Sequence, residues 1–198
     1  MPRVSQEHSD RRRQQILAAA RRCFVREGFH QTSMTDIFAE AGLSAGAVYG
    51  HFGGKGEIIT VIAEEVTGEV DRLVESIFTR EPPLGLADAM RQGLEAASGF
   101  AFGEQGFARL APQVWAEALR DDELLEMLRG RYSRIQGMIS HLVAAEQRAG
   151  RVAAGADPDE VAKVLFGVIM GYILQGLFVG NVEASLYAGG LDALRGSP

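Results

Sequence analysis

A chain of 198 residues with 46% hydrophobic and 23% charged residues has the balance of an ordinary soluble globular protein, either one large domain or a small module joined to a second. Its formal net charge is −6, which argues against nucleic-acid binding only until the distribution is read: residues 1–55 hold eight Lys/Arg and five Asp/Glu (+3), residues 56–198 twelve and twenty-one (−9). A basic head on an acidic body binds phosphate locally while the body stays off the nucleic acid. The single cysteine, Cys23, excludes an internal disulfide and fits a reducing cytoplasm; beside Phe24 it reads as a small buried apolar residue rather than a redox sensor.

Residues 1–9 are polar and read as a loose arm without an apolar run of signal-peptide length, so a cytoplasmic protein is expected. The first helix is predicted from an Asp10 N-cap to Glu27, with Ile16, Ala20, Cys23 and Phe24 inward. Arg11, Arg12 and Arg13 then fall in its first turn, where cations oppose the helix dipole; a phosphate partner and a solvated charge run explain them equally well. Gly28 ends this helix in the left-handed conformation. Ser33 with Asp36 reads as a capping box, and Met34, Ile37, Phe38 and Ala41 give a second, short helix one buried stripe. Gly42 supplies a positive-φ turn, Leu43 fills the angle between helices, and Ser44 caps a third helix, Ala45 to His51. Two helices joined by so short a glycine-containing turn can place the second in the DNA major groove.

Beyond Lys55 a long helix is predicted over Glu57–Phe78, with Ile58, Ile59, Ile62, Val66, Val70, Leu73 and Ile77 inward, closed by Glu81-Pro82-Pro83. Leu84–Phe102 is a further helix, Gly103–Gly106 a break, and Phe107–Leu119 another helix. Asp121-Asp122 opens the longest pattern, to about Ala149, carrying Leu124, Leu125, Leu128, Ile135, Met138, Ile139 and Leu142 at helical spacing. Gly150 and Gly155 bracket a loop, Asp157-Pro158 starts a helix to about Gly180, and Glu183–Leu194 is the last. Six prolines and no strand-like alternation make the chain all-α.

Thirteen positions of the segment Gly28–Lys55 (Gly28, Phe29, Thr32, Ser33, Ile37, Ala41, Gly42, Ser44, Gly46, Tyr49, His51, Phe52 and Lys55) make it resemble, in register, the DNA-binding domain of the TetR family of bacterial transcriptional regulators. Two departures stand out. Phe38 occupies a position where the family usually has Ala, and Gly53-Gly54-Lys55-Gly56 replaces the usual polar and acidic flanks of the Lys. The resemblance implies an all-α chain: an N-terminal three-helix helix-turn-helix DNA-binding domain (1–55) and a C-terminal helical bundle for ligand binding and dimerisation (56–198). It implies phosphate contacts from Thr32, Ser33, Thr35 and Lys55, groove contacts from Ser44, Ala45, Gly46 and Tyr49, and either kind from His51. The partners implied are a double-stranded, approximately palindromic operator, a second copy of the chain paired through C-terminal helices, and an unidentified small-molecule effector that releases a repressor.

Within the body, Trp115, Met138, His141, Phe166, Met170 and Gln175 are the candidate effector contacts, with Phe100, Phe107 and Tyr172 beside them; ordinary core is the competing reading for the aromatics and methionines. His141 and Gln175 stand out because a buried imidazole or amide needs a partner. Val164–Val179 is nearly uncharged but shorter than a membrane span; it reads as a dimer helix, with Gly167 and Gly171 allowing close approach, or as an internal core helix. Gly42-Leu43-Ser44-Ala45-Gly46 matches G-x-S-x-G, yet that elbow needs a preceding strand. Gly53-Gly54-Lys55-Gly56 lacks the spacing and hydroxyl of a phosphate loop, and the histidines at 8, 30, 51 and 141 have no metal-ligand spacing. No catalytic residue, metal or cofactor is expected. The rival readings are an enzyme, for which no catalytic motif is present, and a helical protein-interaction adaptor whose reader-like head binds no DNA.

Overall fold

The computed structural model describes residues 3–80, 84–102, 107–180 and 183–194; the side chains of residues 3–5, 100, 107, 188, 191, 192 and 194 fall outside the description. The described residues form helices α1 (Arg3–Glu27), α2 (Met34–Ala41), α3 (Ala45–Tyr49), α4 (Lys55–Phe78), α5 (Leu86–Phe102), α6 (Ala111–Ala118), α7 (Asp122–Arg148), α8 (Pro158–Phe178) and α9 (Ala184–Leu194), with a 3-10 turn at Phe107–Arg109. Among them there is no strand. They divide into two compact units, Met1–Val66 with Arg109–Arg120, and Thr67–Ala108 with Asp121–Pro198.

In the first unit Ile16, Leu17, Ala20, Cys23 and Phe24 of α1 are wholly buried, as are Ile37 of α2 and Val48 of α3. A side chain of this size contributes roughly 1.5–3 kcal/mol when fully buried, so this inner stripe, not helix propensity, holds the short α2 and α3 in place. The local signals act as expected. Gly28 takes φ 87° and Gly42 φ 65°. Ser33 Oγ accepts from Asp36 N, and Asp36 Oδ2 accepts from Ser33 N at 2.8 Å, completing the capping box. Ser44 Oγ accepts from Ala47 N.

Two expectations for this unit are corrected. α1 begins at Arg3 rather than at an Asp10 cap, because Val4 to Asp10 contain neither Gly nor Pro to stop it. Arg11 to Arg13 therefore lie in the helix interior, and the conflict with the helix dipole disappears. The predicted helix over Phe107–Leu119 is split at Leu110, where Pro112 lacks an N–H and fits only the first turn of a new helix.

The second unit is built on α7. Its Ile135, Ile139, Leu142 and Val143 are buried against Ile77 of α4, Leu86, Ala89 and Met90 of α5, and Ala162 and Leu165 of α8. Arg131 Nη1 donates to the buried Asp71 at 2.8 Å and Arg134 Nη2 to Glu75 at 3.0 Å, fastening α4 to α7. Val66, Val70 and Leu73 of α4, expected inward, are only half-buried. Asp157 caps α8 by accepting from Asp159 N and Glu160 N. Gln147 Nε2 donates to the carbonyls of Ala153, Ala154 and Ala156, which folds the α7–α8 loop onto the end of α7. Tyr172 is wholly buried, edge-on to Phe102 and Tyr187. The Phe102 ring lies where a side chain at Gly176 would stand, so any larger residue there requires Phe102 to move. The terminator Glu81-Pro82-Pro83 and the break at Gly103–Gly106 lie outside the described residues.

Candidate nucleic-acid interface

Helix α3 has one buried side chain, Val48; Ala45, Gly46, Ala47 and Tyr49 are exposed, together with the capping Ser44. Tyr49 is 53% exposed, and its ring stands edge-on to Phe38 with centroids 5.5 Å apart. Phe38, the departure from the family pattern, thus gives the exposed tyrosine a wall that an alanine would not. A Cβ at Gly46 would meet nothing within 4 Å. The protein's own packing does not require glycine here. Ser33 and Thr35 are exposed at the start of α2. The Ser33 hydroxyl and backbone N–H hold the Asp36 carboxyl below the usual carboxylate range.

The other predicted contact residues are buried or half-buried. Thr32 is 1% exposed, and its hydroxyl donates to Gly28 O at 2.8 Å. Lys55 Nζ donates to Phe29 O at 2.8 Å and to Thr32 O at 3.1 Å, pinning the α1–α2 corner from below. His51 is half-buried; its carbonyl accepts from Arg13 Nη1 at 3.4 Å, and the same guanidinium lies 4.5 Å from the centre of the buried Phe52 ring. Of the arginine run, then, Arg13 is a packing residue while Arg11 stays exposed. Further along α1 the cations are committed internally. Arg22 and Arg26 pair with Glu40 at 2.6 and 3.3 Å and keep its carboxyl below the ordinary range, and Arg21 pairs with Glu65. Burial raises the Cys23 thiol, as suits an inert core cysteine. Glu57 accepts from Gly53 N at 2.7 Å, so the glycine-rich lead-in to α4 is tied down.

The first unit also holds a residue that no sequence signal marked. Gln113, on α6, accepts from Phe29 N at 2.7 Å and donates to Phe24 O at 3.3 Å.

The candidate effector residues do not form one set. Trp115 belongs to the first unit, while Met138, Phe166 and Met170 are half-buried in the second. His141 and Gln175 are exposed, against the expectation that they are buried. On α7 the inward phase runs through Ile139 and Leu142, and His141 sits two residues, about 200°, from Ile139. Gln175 shares the outer face of α8 with Val164, Gly167 and Phe178. The Phe100 and Phe107 side chains lie outside the described residues. Helix α8 is long and apolar enough to cross a membrane, and only 11% of its apolar window is buried within the chain. Among the described residues no group of His, Cys, Asp or Glu is arranged to hold a metal.

Residues 16–62 match the family described as bacterial regulatory proteins, tetR family, and residues 86–186 match the C-terminal domain of the BetI-type transcriptional repressors. The chain belongs to the TetR family. Among its relatives, the HTH-type transcriptional repressor Rv1474c of Mycobacterium tuberculosis is 28% identical, with 83% of this chain and 95% of that protein covered. The regulator TtgR of Pseudomonas putida is 27% identical over 100% of this chain and 98% of its own. The solved structure of Salmonella enterica GusR superposes with a TM-score of 0.73 at 26% identity, covering 92% of each chain. That of FadR from Bacillus subtilis in complex with stearoyl-CoA has a TM-score of 0.74 at 17% identity over 91% of this chain and 96% of that one, and so shares the fold. This TetR-family chain is an all-α transcriptional regulator with an N-terminal helix-turn-helix.

Proposed function

We propose that the protein is a cytoplasmic repressor that binds an approximately palindromic operator as a homodimer and is released by a small-molecule effector. The observation that carries this reading is the outward face of α3, where every residue but Val48 is exposed and only Tyr49 is large. Ser44, Ala45, Gly46 and Tyr49 enter the major groove, where Tyr49 and apolar contacts to thymine methyls read sequence along with DNA shape. Ser33 and Thr35 meet phosphate, and His51 follows at the edge of the groove. Thr32 and Lys55 act one step back, by shaping the corner from which α2 starts.

The regulatory domain is taken as residues 56–198, with the reader ending at its signature lysine; the compact units, which follow packing, divide at a different point. An outer α8 face of Val164, Gly167 and Phe178, interrupted by Gln175 and with Gly171 half-buried on it, is largely apolar and exposed, which supports pairing with a second α8 and two reader heads on successive grooves. The effector site is assigned to the half-buried apolar side chains Tyr132, Met138 and Phe166 beside the second unit's core. FadR, which shares this fold, was solved in complex with stearoyl-CoA, which supports an effector with a large apolar component. The effector acts by differential affinity for two states of the dimer, transmitted along α4, which supplies residues to both units.

Titration of a fluorescent duplex from the chain's own upstream DNA, against a scrambled duplex, tests the reading. Selective binding that weakens steeply with salt is expected. Tyr49→Ala is expected to lose about tenfold in operator affinity at unchanged thermal stability, a loss of roughly 1.4 kcal/mol. Equal binding to both duplexes would refute sequence-selective recognition, and binding to neither would favour the adaptor reading instead.

A further inference from the structure

The end of α1 is closed in part by a side chain from α6. Gly28, at φ 87°, donates its N–H to Phe24 O at 2.9 Å, the bond of a simple left-handed helix cap. In a Schellman cap the next N–H, that of Phe29, reaches back to the Phe24 carbonyl. Here the Gln113 amide stands between the two groups. Its Oε1 accepts from Phe29 N at 2.7 Å and its Nε2 donates to Phe24 O at 3.3 Å, so one hydrogen bond within the turn is replaced by two through a side chain from α6. Nε2 also donates to Arg109 O at 3.0 Å, one turn back on its own segment, which fixes the amide's orientation. The corner Phe29–Thr32 is gripped from below by Lys55 through the Phe29 and Thr32 carbonyls.

We propose that Gln113 is a positioning residue for operator recognition: its amide, wedged into the α1–α2 corner, sets where α2 begins and so where Ser33 and Thr35 meet the DNA backbone. The inference rests on the reading of α2 and α3 as the DNA-contacting helices. Its physical core is that the corner has two closures satisfying the same donor and acceptor. With the amide inserted, Phe29 N–H and Phe24 O are each bonded to Gln113. With the amide withdrawn, they bond to each other. Neither state leaves a buried backbone group unpaired, so the difference in stability is small. The geometry differs by the width of an amide, and a shift of that size in the lead-in to α2 moves a phosphate-contacting hydroxyl out of hydrogen-bond range. Because α6 presents the amide from 84 residues along the chain, any movement of α6 is felt at this corner.

The test compares wild type, Gln113→Ala and Gln113→Glu for operator affinity on the same duplex, each expressed as a ratio to wild type at each pH so that general effects of pH cancel. At pH 8 both variants are expected to bind about tenfold more weakly. The introduced carboxylate still accepts from Phe29 N–H, but its second oxygen faces the Phe24 and Arg109 carbonyl oxygens, and this raises its pKa above the ordinary carboxylate range. As the pH falls to 5.5 the carboxyl takes up a proton and donates again. Gln113→Glu is then expected to recover to within about threefold of wild type, while Gln113→Ala does not recover. Amide hydrogen exchange gives a readout independent of DNA: Phe29 stays protected in Gln113→Ala because its N–H passes to Phe24 O.

Wild-type affinity in either variant at pH 8 overturns the proposal, as does weakened binding without recovery of Gln113→Glu at low pH. A freely exchanging Phe29 amide, or a Gln113→Ala chain that does not fold, also overturns it, since the corner must close without the amide. A wild-type chain with no selective binding instead sinks the DNA reading on which the proposal stands.

Discussion

Replacing Lys55 by methionine separates two roles open to this residue. The substitution keeps the apolar stem and removes the ammonium that donates to Phe29 O and Thr32 O. Hydrogen bonds from charged groups contribute roughly 1.5–3 kcal/mol each; since Lys55 is only half-buried and water partly replaces the donors, about 2 kcal/mol for the pair is the reasonable figure. Trp115, the single tryptophan, lies in the first unit, so its fluorescence reports on unfolding of the reader. For a unit of this size a loss of about 2 kcal/mol lowers the urea midpoint by roughly 1–2 M. The salt dependence of operator binding is the second assay. A lysine bound mainly to phosphate takes about 0.9 off the slope of log K against log salt when removed, whereas a lysine committed to the corner leaves the slope nearly unchanged. We expect Lys55→Met to lower the midpoint, weaken binding on every duplex and keep the slope. An unchanged midpoint with a slope reduced by about 0.9 would refute the corner role and return Lys55 to direct phosphate contact.

Other outcomes follow from the same structure. Gly167→Arg is expected to yield a folded monomer: a side chain there meets nothing within 4 Å in its own protomer and removes a helix-interior glycine worth about 1 kcal/mol, yet it places a charge on the outer face of α8. Light scattering then reads half the wild-type mass while the melting temperature holds or rises; a persisting dimer would move the interface elsewhere. The reader should also lose stability in acid. Asp36, bonded by Ser33, and Glu40, paired with Arg22 and Arg26, both titrate below their ordinary range, so their contribution is present above the unfolded value of roughly 4 and is lost as pH falls through the lower folded value. Trp115-monitored melts between pH 5 and pH 3 are expected to show this loss, reduced in Ser33→Ala; equal acid sensitivity in the two proteins would mean that the capping box plays no part.

Features decided within a few residues are legible in the amino-acid order. The capping box Ser33–Asp36, the left-handed Gly28 and Gly42, the Ser44 and Asp157 caps and the inner stripe Ile16–Phe24 depend on local spacing, and each forms as expected. Residues Val4 to Asp10 mislead because a polar stretch without Gly or Pro is as acceptable to a helix as to an arm. The break at Pro112 is masked by an apolar period that continues across it. His141 and Gln175 draw attention by their chemistry, while exposure follows from helical phase.

What the chain alone determined, then, is the all-α class, the helix-turn-helix and the residues that surround its turn, since hydrogen-bonding chemistry and φ preference act over one or two turns of backbone. Tertiary structure decided which of those residues face outward. It turned Thr32 and Lys55 onto the corner, left Tyr49 standing against Phe38, and brought Gln113 to a pair of backbone groups more than eighty positions away. A polar side chain bonds whichever partner the folded chain brings within about 3 Å, and for Lys55 and Gln113 that partner depends on how whole helices pack.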